Sequence, residues 1–204
     1  RNTFKKRVSQ NTNQKKRYFD NLDITKRLNQ EQRKAINLIE EQRIIMLSGG
    51  PGTGKTSTIL QMLLRALIIN PKLKVAIAAP TGKATRRLKD TIQTGIKELE
   101  TSSKNKLTKI PCQTLHKWLE STPNGYRRNS KRLLNIDLLV IDEMSMVDMN
   151  ITNAFLNALS QSSQIILIGD PDQLSPIGSG AIWQVLQDKE MKKKFESNSV
   201  NLIR

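Results

Sequence analysis

The chain is short of the residues that build staples, metal sites and membrane spans. Cys112 is the only cysteine and His116 the only histidine among 204 residues. No intrachain disulfide can form, and no Cys/His zinc site can be assembled. The expected setting is a reducing compartment, the cytoplasm. The longest apolar runs, near Ile59 to Ile69 and Leu138 to Ile141, fall far short of the ~18–20 residues that cross a bilayer. No apolar signal segment follows the polar, basic N-terminus, so no membrane partner is expected. Internal repeats are absent, as is low-complexity sequence beyond that N-terminal arm. Acidic residues are scarce: 18 Asp and Glu stand against 34 Lys and Arg, a net charge of +16. This excess suits a polyanionic partner, but a Lys-, Asn- and Ile-rich composition produces it as well. Its distribution says slightly more. Arg1 to Arg17 holds seven basic residues and no acid, and Lys104 to Arg132 holds eight against Glu120.

What is present suffices for a single folded domain. Hydrophobic residues make up 37% and charged residues 25%, and a chain of this length buries a core without covalent help. Residues 1–27 read as a basic arm or linker, and 28–204 as one domain. The chain opens on Arg1 rather than Met, so a piece of a longer protein is expected. Asn29-x-x-Gln32 forms a capping box before a helix whose inner face is Ala35, Ile36, Leu38 and Ile39. Ile44 to Leu47 is a buried strand. A long helix with Ile59, Leu60, Leu63, Leu64 and Leu67 on its apolar face ends at Asn70-Pro71. Further buried strands are Val75 to Ala79, Leu138 to Ile141 and Ile165 to Ile168, with Val200 to Ile203 as a candidate last strand. Helices are expected at Lys83 to Ile92, Thr114 to Leu119, Ile151 to Leu159 and Ala181 to Leu186. Thr101 to Lys109 reads as a Lys-rich surface loop. Strands alternating with helices indicate an α/β protein with a mostly parallel sheet flanked by helices.

Two groups of residues carry chemistry. Gly49-Gly50-Pro51-Gly52-Thr53-Gly54-Lys55-Thr56 satisfies G-x-x-x-x-G-K-[ST] between a strand and a helix. Its glycines let successive N–H groups surround phosphates, and the following helix adds its positive end. Lys55 would reach the β- and γ-phosphate oxygens, and Thr56 would be a ligand to Mg²⁺. The expected ligand is a nucleoside triphosphate, ATP with Mg²⁺. Asp142-Glu143 follows an apolar strand, at the sheet edge where ligands bind in open α/β sheets. Asp142 would join the Mg²⁺ shell, and Glu143 would orient or deprotonate the attacking water. Gln173, beyond a neighbouring strand, can donate to the γ-phosphate; a plain loop residue is the competing reading.

Together these segments resemble the first motor domain of superfamily 1B DNA helicases, specifically the RecD-like group. Leu28 to Gln32 is similar to the adenine-recognition motif, with Gln32 reading the base. Ala79 to Leu88 resembles the strand-contacting motif Ia, Asp142 to Asp148 motif II, and Gly169 to Leu174 motif III. Gln113 to Leu119 is similar to the family's T-x-H block. The resemblance implies a RecA-like P-loop fold and ATP-driven 5′→3′ translocation on single-stranded DNA with duplex unwinding, in DNA repair and recombination. It assigns catalytic roles to Lys55, Glu143 and Gln173, and DNA contacts to Pro80, Thr81, Thr114 and His116. Thr81 equally fits a helix N-cap, and His116 a packing histidine. Residues 122–135 occupy the place of the family's strand-separating pin, with Tyr126 and Arg127-Arg128 as contacts; an ordinary basic hairpin fits as well. The segment from Leu88 to Thr114 is longer than the family's spacing, and Leu174 to Ile177 is a variant of its motif III continuation. The second motor domain, with its γ-phosphate arginine, is not in this sequence. Alone, the domain is expected to bind ATP and turn it over poorly. Rival readings are a P-loop ATPase that remodels proteins, a non-catalytic nucleic-acid module, and the helicase part of a conjugative relaxase. Nuclease–helicase partner subunits are left unidentified.

Overall fold

The computed structural model describes residues 28–97, 105–173 and 182–203. The basic arm, Thr101 to Lys104, Leu174 to Ile177 and Ala181 lie outside the described residues.

Helix α1 (Gln30–Glu41) starts at the anticipated capping box, with Asn29 Oδ1 accepting from Gln32 N at 2.8 Å and Gln32 Oε1 from Asn29 N at 3.1 Å. Strand β1 (Ile44–Gly49) runs through the glycine loop into α2 (Lys55–Ile69), which stops at Asn70 before Pro71. β2 (Val75–Ala79) and α3 (Gly82–Ile96) follow. Next come β3 (Cys112–Thr114), α4 (Leu115–Trp118) and a two-stranded hairpin, β4 (Ser121–Thr122) with β5 (Gly125–Tyr126). β6 (Leu138–Ile141), a 3₁₀ turn (Met144–Met146), α5 (Met149–Ala158) and β7 (Gln164–Gly169) complete the centre. α6 (Ile182–Gln187), α7 (Lys189–Lys194) and β8 (Ser199–Leu202) close the described chain.

The six long-range strands form one sheet in the order β3-β2-β6-β7-β1-β8, and every neighbouring pair is parallel. Alternate strand residues divide between two cores. Ile45, Leu47, Ile77, Val140, Ile166 and Ile168 meet α1, α2 and α3, while Met46, Leu139, Ile141, Ile165 and Leu167 meet α4, α5 and α6. A sheet covered on both faces needs apolar residues at both phases of the pleat, which explains the continuous apolar runs. α2 is the most enclosed helix, buried without interruption from Thr58 to Leu67. Its one buried cation, Arg65, is ion-paired with Glu40 of α1, Nε to Oε1 at 2.7 Å.

One expectation needs correction, and two elements lie beyond those expected. The short helix expected at Thr114 to Leu119 is present as α4, capped by Thr114, but Thr114 also ends β3, an edge strand held by β2 that the sequence reading did not include. The region expected as a surface loop is helical at 105–107, where Leu107 is buried in the first core. α7 was not expected, because its Lys-rich sequence buries nothing and carries no apolar period.

Candidate nucleotide site

All strands of the sheet point one way, so the loops after β1, β2, β6 and β7 gather along one edge. The loop after β1 is shaped by Gly54, whose φ of 82° lies in the left-handed region. A Cβ there would also stand 2.6 Å from Gln32 Nε2. Gly54 therefore permits both the turn and the approach of α1. Thr53 Oγ1 donates to Gly50 O at 2.9 Å, and Lys55 Nζ donates to the carbonyls of Gly49 and of Gly50, the latter at 2.8 Å. The lysine ammonium is thus held in the crook of the loop. No side chain caps the start of α2, so its first-turn N–H groups remain for an anion.

Across from this loop, β6 delivers Asp142 and Glu143. The Glu143 N–H donates to Asp142 Oδ1 at 2.9 Å. Burial pushes the Asp142 carboxyl above the usual carboxylate range. The Glu143 N–H opposes that rise, the neighbouring Glu143 carboxylate adds to it, and Lys55 and Arg87 oppose it more weakly. Glu143 adopts φ 55°, ψ 44°, a left-handed backbone that costs a non-glycine residue roughly 1–2 kcal/mol. Its carboxylate makes no hydrogen bond or ion pair among the described residues.

Lys55, Thr56, Asp142, Glu143 and Gln173 all line one cavity of about 140 Å³. Five residues from three separate loops, assigned from sequence to one site, are thereby brought together. A hydroxyl and a carboxylate on the same wall are hard oxygen donors, the set that suits a Mg²⁺ retaining waters and substrate phosphates. Thr56 and Asp142 fit that ion. Among the phosphate-loop residues, Pro51 also faces the cavity, while Gly49, Gly50, Gly52, Thr53 and Gly54 form the turn beside it. Gln32 stands off the cavity, against Gly54, and its Oε1 is engaged in the capping box.

The remaining candidates lie along the same edge. Thr81 Oγ1 accepts from Ala84 N at 3.1 Å and caps α3; Thr114 Oγ1 accepts from Lys117 N at 3.2 Å and caps α4. Capping uses a lone pair and leaves each O–H free to donate. β2 pairs with β3 with Ala79 opposite Thr114, so Pro80 and Thr81 emerge beside Thr114. His116 is exposed, its ring 6.5 Å from that of Tyr126. In the hairpin, Tyr126 packs against the second core. Arg128 is tied to Glu120 (Nε to Oε1, 2.7 Å), which also pairs with Arg132 at 3.1 Å. Arg127 is exposed and acts on Glu120 only through its charge, behind Arg128 and Arg132. The tight turn falls at Pro123-Asn124, and Asn129 bridges Arg132 in a second, smaller turn.

Sequence reading passed over Arg87, Asp170 and Ser145. Arg87 lies on the face of α3 that also carries Ala84, Leu88 and Thr91, all four on the cavity wall. That i, i+3, i+4, i+7 spacing was the available signal. Asp170, also on the cavity wall, is 4% exposed and accepts from Asp172 N at 3.0 Å. Ser145 Oγ donates to Gln173 Oε1 at 2.8 Å, a contact between loops that no local pattern reveals. No helix among the described residues is long and apolar enough to cross a membrane.

Comparison with known proteins bears on the family and the fold. The family model AAA_19, described as an AAA domain, matches residues 32–179. The RecBCD enzyme subunit RecD of Mycolicibacterium smegmatis is 37% identical over 161 residues, 75% of this chain and 29% of that protein. The ATP-dependent RecD2 DNA helicase of Deinococcus radiodurans is 33% identical over 155 residues, 76% of this chain and 19% of that protein. This chain therefore spans under a third of these relatives. A Bacteroides Pif1 bound to single-stranded DNA shares the fold with a TM-score of 0.50 at 23% identity, over 87% of this chain and 42% of that one. The RecA-like sheet and the family match over residues 32–179 place the chain in the AAA-domain family, with sequence similarity to RecD-type proteins.

Proposed function

We propose that this domain binds ATP with Mg²⁺ and, joined to a second motor domain, hydrolyses it to drive 5′→3′ movement along single-stranded DNA and duplex unwinding. The observation that carries the reading is the convergence of Lys55, Thr56, Asp142, Glu143 and Gln173 on one cavity. Lys55 exchanges its loop carbonyls for β- and γ-phosphate oxygens. Thr56 and Asp142 hold Mg²⁺, which when bound neutralises charge on those oxygens. Glu143, with no hydrogen-bond or ion-pair partner among the described residues, accepts the proton of the attacking water. Gln173 donates to the γ-phosphate, and Gln32 reads the base from beside Gly54. The second motor domain supplies the arginine worth ~10³–10⁵ in related phosphoryl transfers.

DNA runs along the same edge, over Pro80, Thr81, Thr114 and His116, where the Thr81 and Thr114 hydroxyls grip phosphate without reading bases. Residues 122–135 are the candidate pin, and residues 1–27 an arm ahead of the motor domain spanning 28–204. The names of the relatives support DNA as the track, since RecD2 is described as a DNA helicase. The test is ATP hydrolysis by the full-length protein with and without single-stranded DNA. Stimulation by DNA that vanishes in Lys55→Ala, with DNA affinity falling steeply as salt rises, is the expected result. Hydrolysis indifferent to DNA would overturn it in favour of a protein-remodelling ATPase.

A further inference from the structure

Ser145 has no part in the roles given above, yet it is the residue that holds one of them in place. It lies in the 3₁₀ turn after β6 and is 1% exposed. Its Oγ donates to Gln173 Oε1 at 2.8 Å. Gln173 belongs to a different loop, after β7, and its side chain lines the cavity with Lys55 and Glu143. An amide has two unlike ends: the carbonyl only accepts, and the NH₂ only donates. A wall that meets an anionic phosphate needs the donating end. With the carbonyl turned inward, its lone pairs would face phosphate oxygens and repel them.

We propose that Ser145 is a positioning residue: by taking up Gln173 Oε1, it fixes the amide so that Nε2 is the end left for the terminal phosphate. The proposal rests on the nucleotide reading of the cavity. A buried hydroxyl with one partner is a strong constraint, because losing that bond leaves a polar atom with no water to replace it. The bond also ties the loop after β6 to the loop after β7, so the two carboxylates and the amide hold one arrangement. Once Ser145 is lost, the amide samples both orientations, and stabilisation of the transferring phosphoryl group falls while ground-state nucleotide binding, carried mainly by the glycine loop, persists.

The experiment uses the full-length protein with saturating single-stranded DNA and measures kcat and KM for ATP. Ser145→Ala is expected to lower kcat about tenfold, with KM for ATP within about twofold, less than the ~10²–10³ lost when an oriented donor is removed outright. Ser145→Thr, which keeps the hydroxyl, should restore kcat, and Ser145→Cys, of similar size with a weak donor, should fall between. The Ser145→Ala/Gln173→Ala pair should be no slower than Gln173→Ala alone, since both act through one contact. Wild-type kcat in Ser145→Ala, or losses that multiply in the double variant, would overturn the proposal. If Ser145→Ala melts early, Ser145→Cys with the Gln173→Ala cycle decides on the same criteria. Glu143→Gln separates the two readings. Turnover surviving that change sinks the nucleotide site itself, whereas loss of turnover in Glu143→Gln beside a fully active Ser145→Ala sinks only the role of Ser145.

Discussion

Glu120 and Glu143 share an uncommon backbone, with φ of 53° and 55°, and are the two positive-φ residues other than glycine among those described. Their surroundings are opposite. Glu120 opens the hairpin region and is gripped by Arg128 and Arg132, so its backbone strain is offset by the pairs it makes. Glu143 ends at the cavity with no partner for its carboxylate among the described residues. Strain that nothing local offsets is the mark of a side chain held for another purpose. One glutamate organises a loop, and the other is kept ready for a ligand.

The largest separation between them is in turnover. Glu143→Gln removes the proton acceptor while keeping shape, so ATP hydrolysis by the full-length protein should fall ~10²–10⁴-fold, with nucleotide still bound. Glu120→Gln should leave turnover unchanged. Steady-state hydrolysis and titration with a fluorescent nucleotide measure both. Equal losses at the two positions would erase the distinction.

Acid separates the two regions in stability. Hydrogen bonding from Arg128 holds Glu120 below its ordinary value of 4.5. Its contribution is therefore present above that pH and disappears as pH falls through the lower folded value. Asp142, beside Glu143, is held above its ordinary 3.8 by burial. Its ionised form weighs against the fold at neutral pH, and that weight lifts as pH falls through the raised folded value. Melting temperature should thus rise at pH 7 in Asp142→Asn and fall in Glu120→Gln. Repeating the melts at pH 4 should shrink both differences. A fall in Asp142→Asn at pH 7 would show that the carboxylate stabilises its surroundings.

The two regions also differed in how far they could be read from sequence. The capping box, β1, the glycine loop, α2 and the strands carrying the carboxylates follow from local patterns, because buried parallel strands and a phosphate loop each need a fixed run of residue types. β3 escaped, since Cys112 to Thr114 is short and its pairing with β2, not its composition, makes it a strand. Leu107 escaped because one apolar residue in a Lys-rich run carries no period. The Ser145–Gln173 bond and the Arg clamp on Glu120 are contacts between chain segments, visible only once the sheet has set their spacing. Which residues meet at the cavity was therefore largely legible, but the bonds among them were not.

The smallest effect is the sharpest test of the comparison, because one substitution should act with opposite sign at the two positions. Glycine adopts the left-handed region freely, which recovers the roughly 1–2 kcal/mol of backbone cost, less about 0.5–1 kcal/mol for its looser unfolded chain. At residue 143 no side-chain hydrogen bond or ion pair among the described residues is lost, so Glu143→Gly should stabilise the domain by about 0.5–1 kcal/mol. At residue 120 the same relief comes with loss of the bonds to Arg128 and Arg132, leaving two guanidinium groups close together, and Glu120→Gly should lower the melting temperature. Urea denaturation of both variants beside the parent measures the signs. Destabilisation at both sites would mean that the Glu143 carboxylate supports the fold after all, and the contrast between the glutamates would reduce to a shared turn geometry.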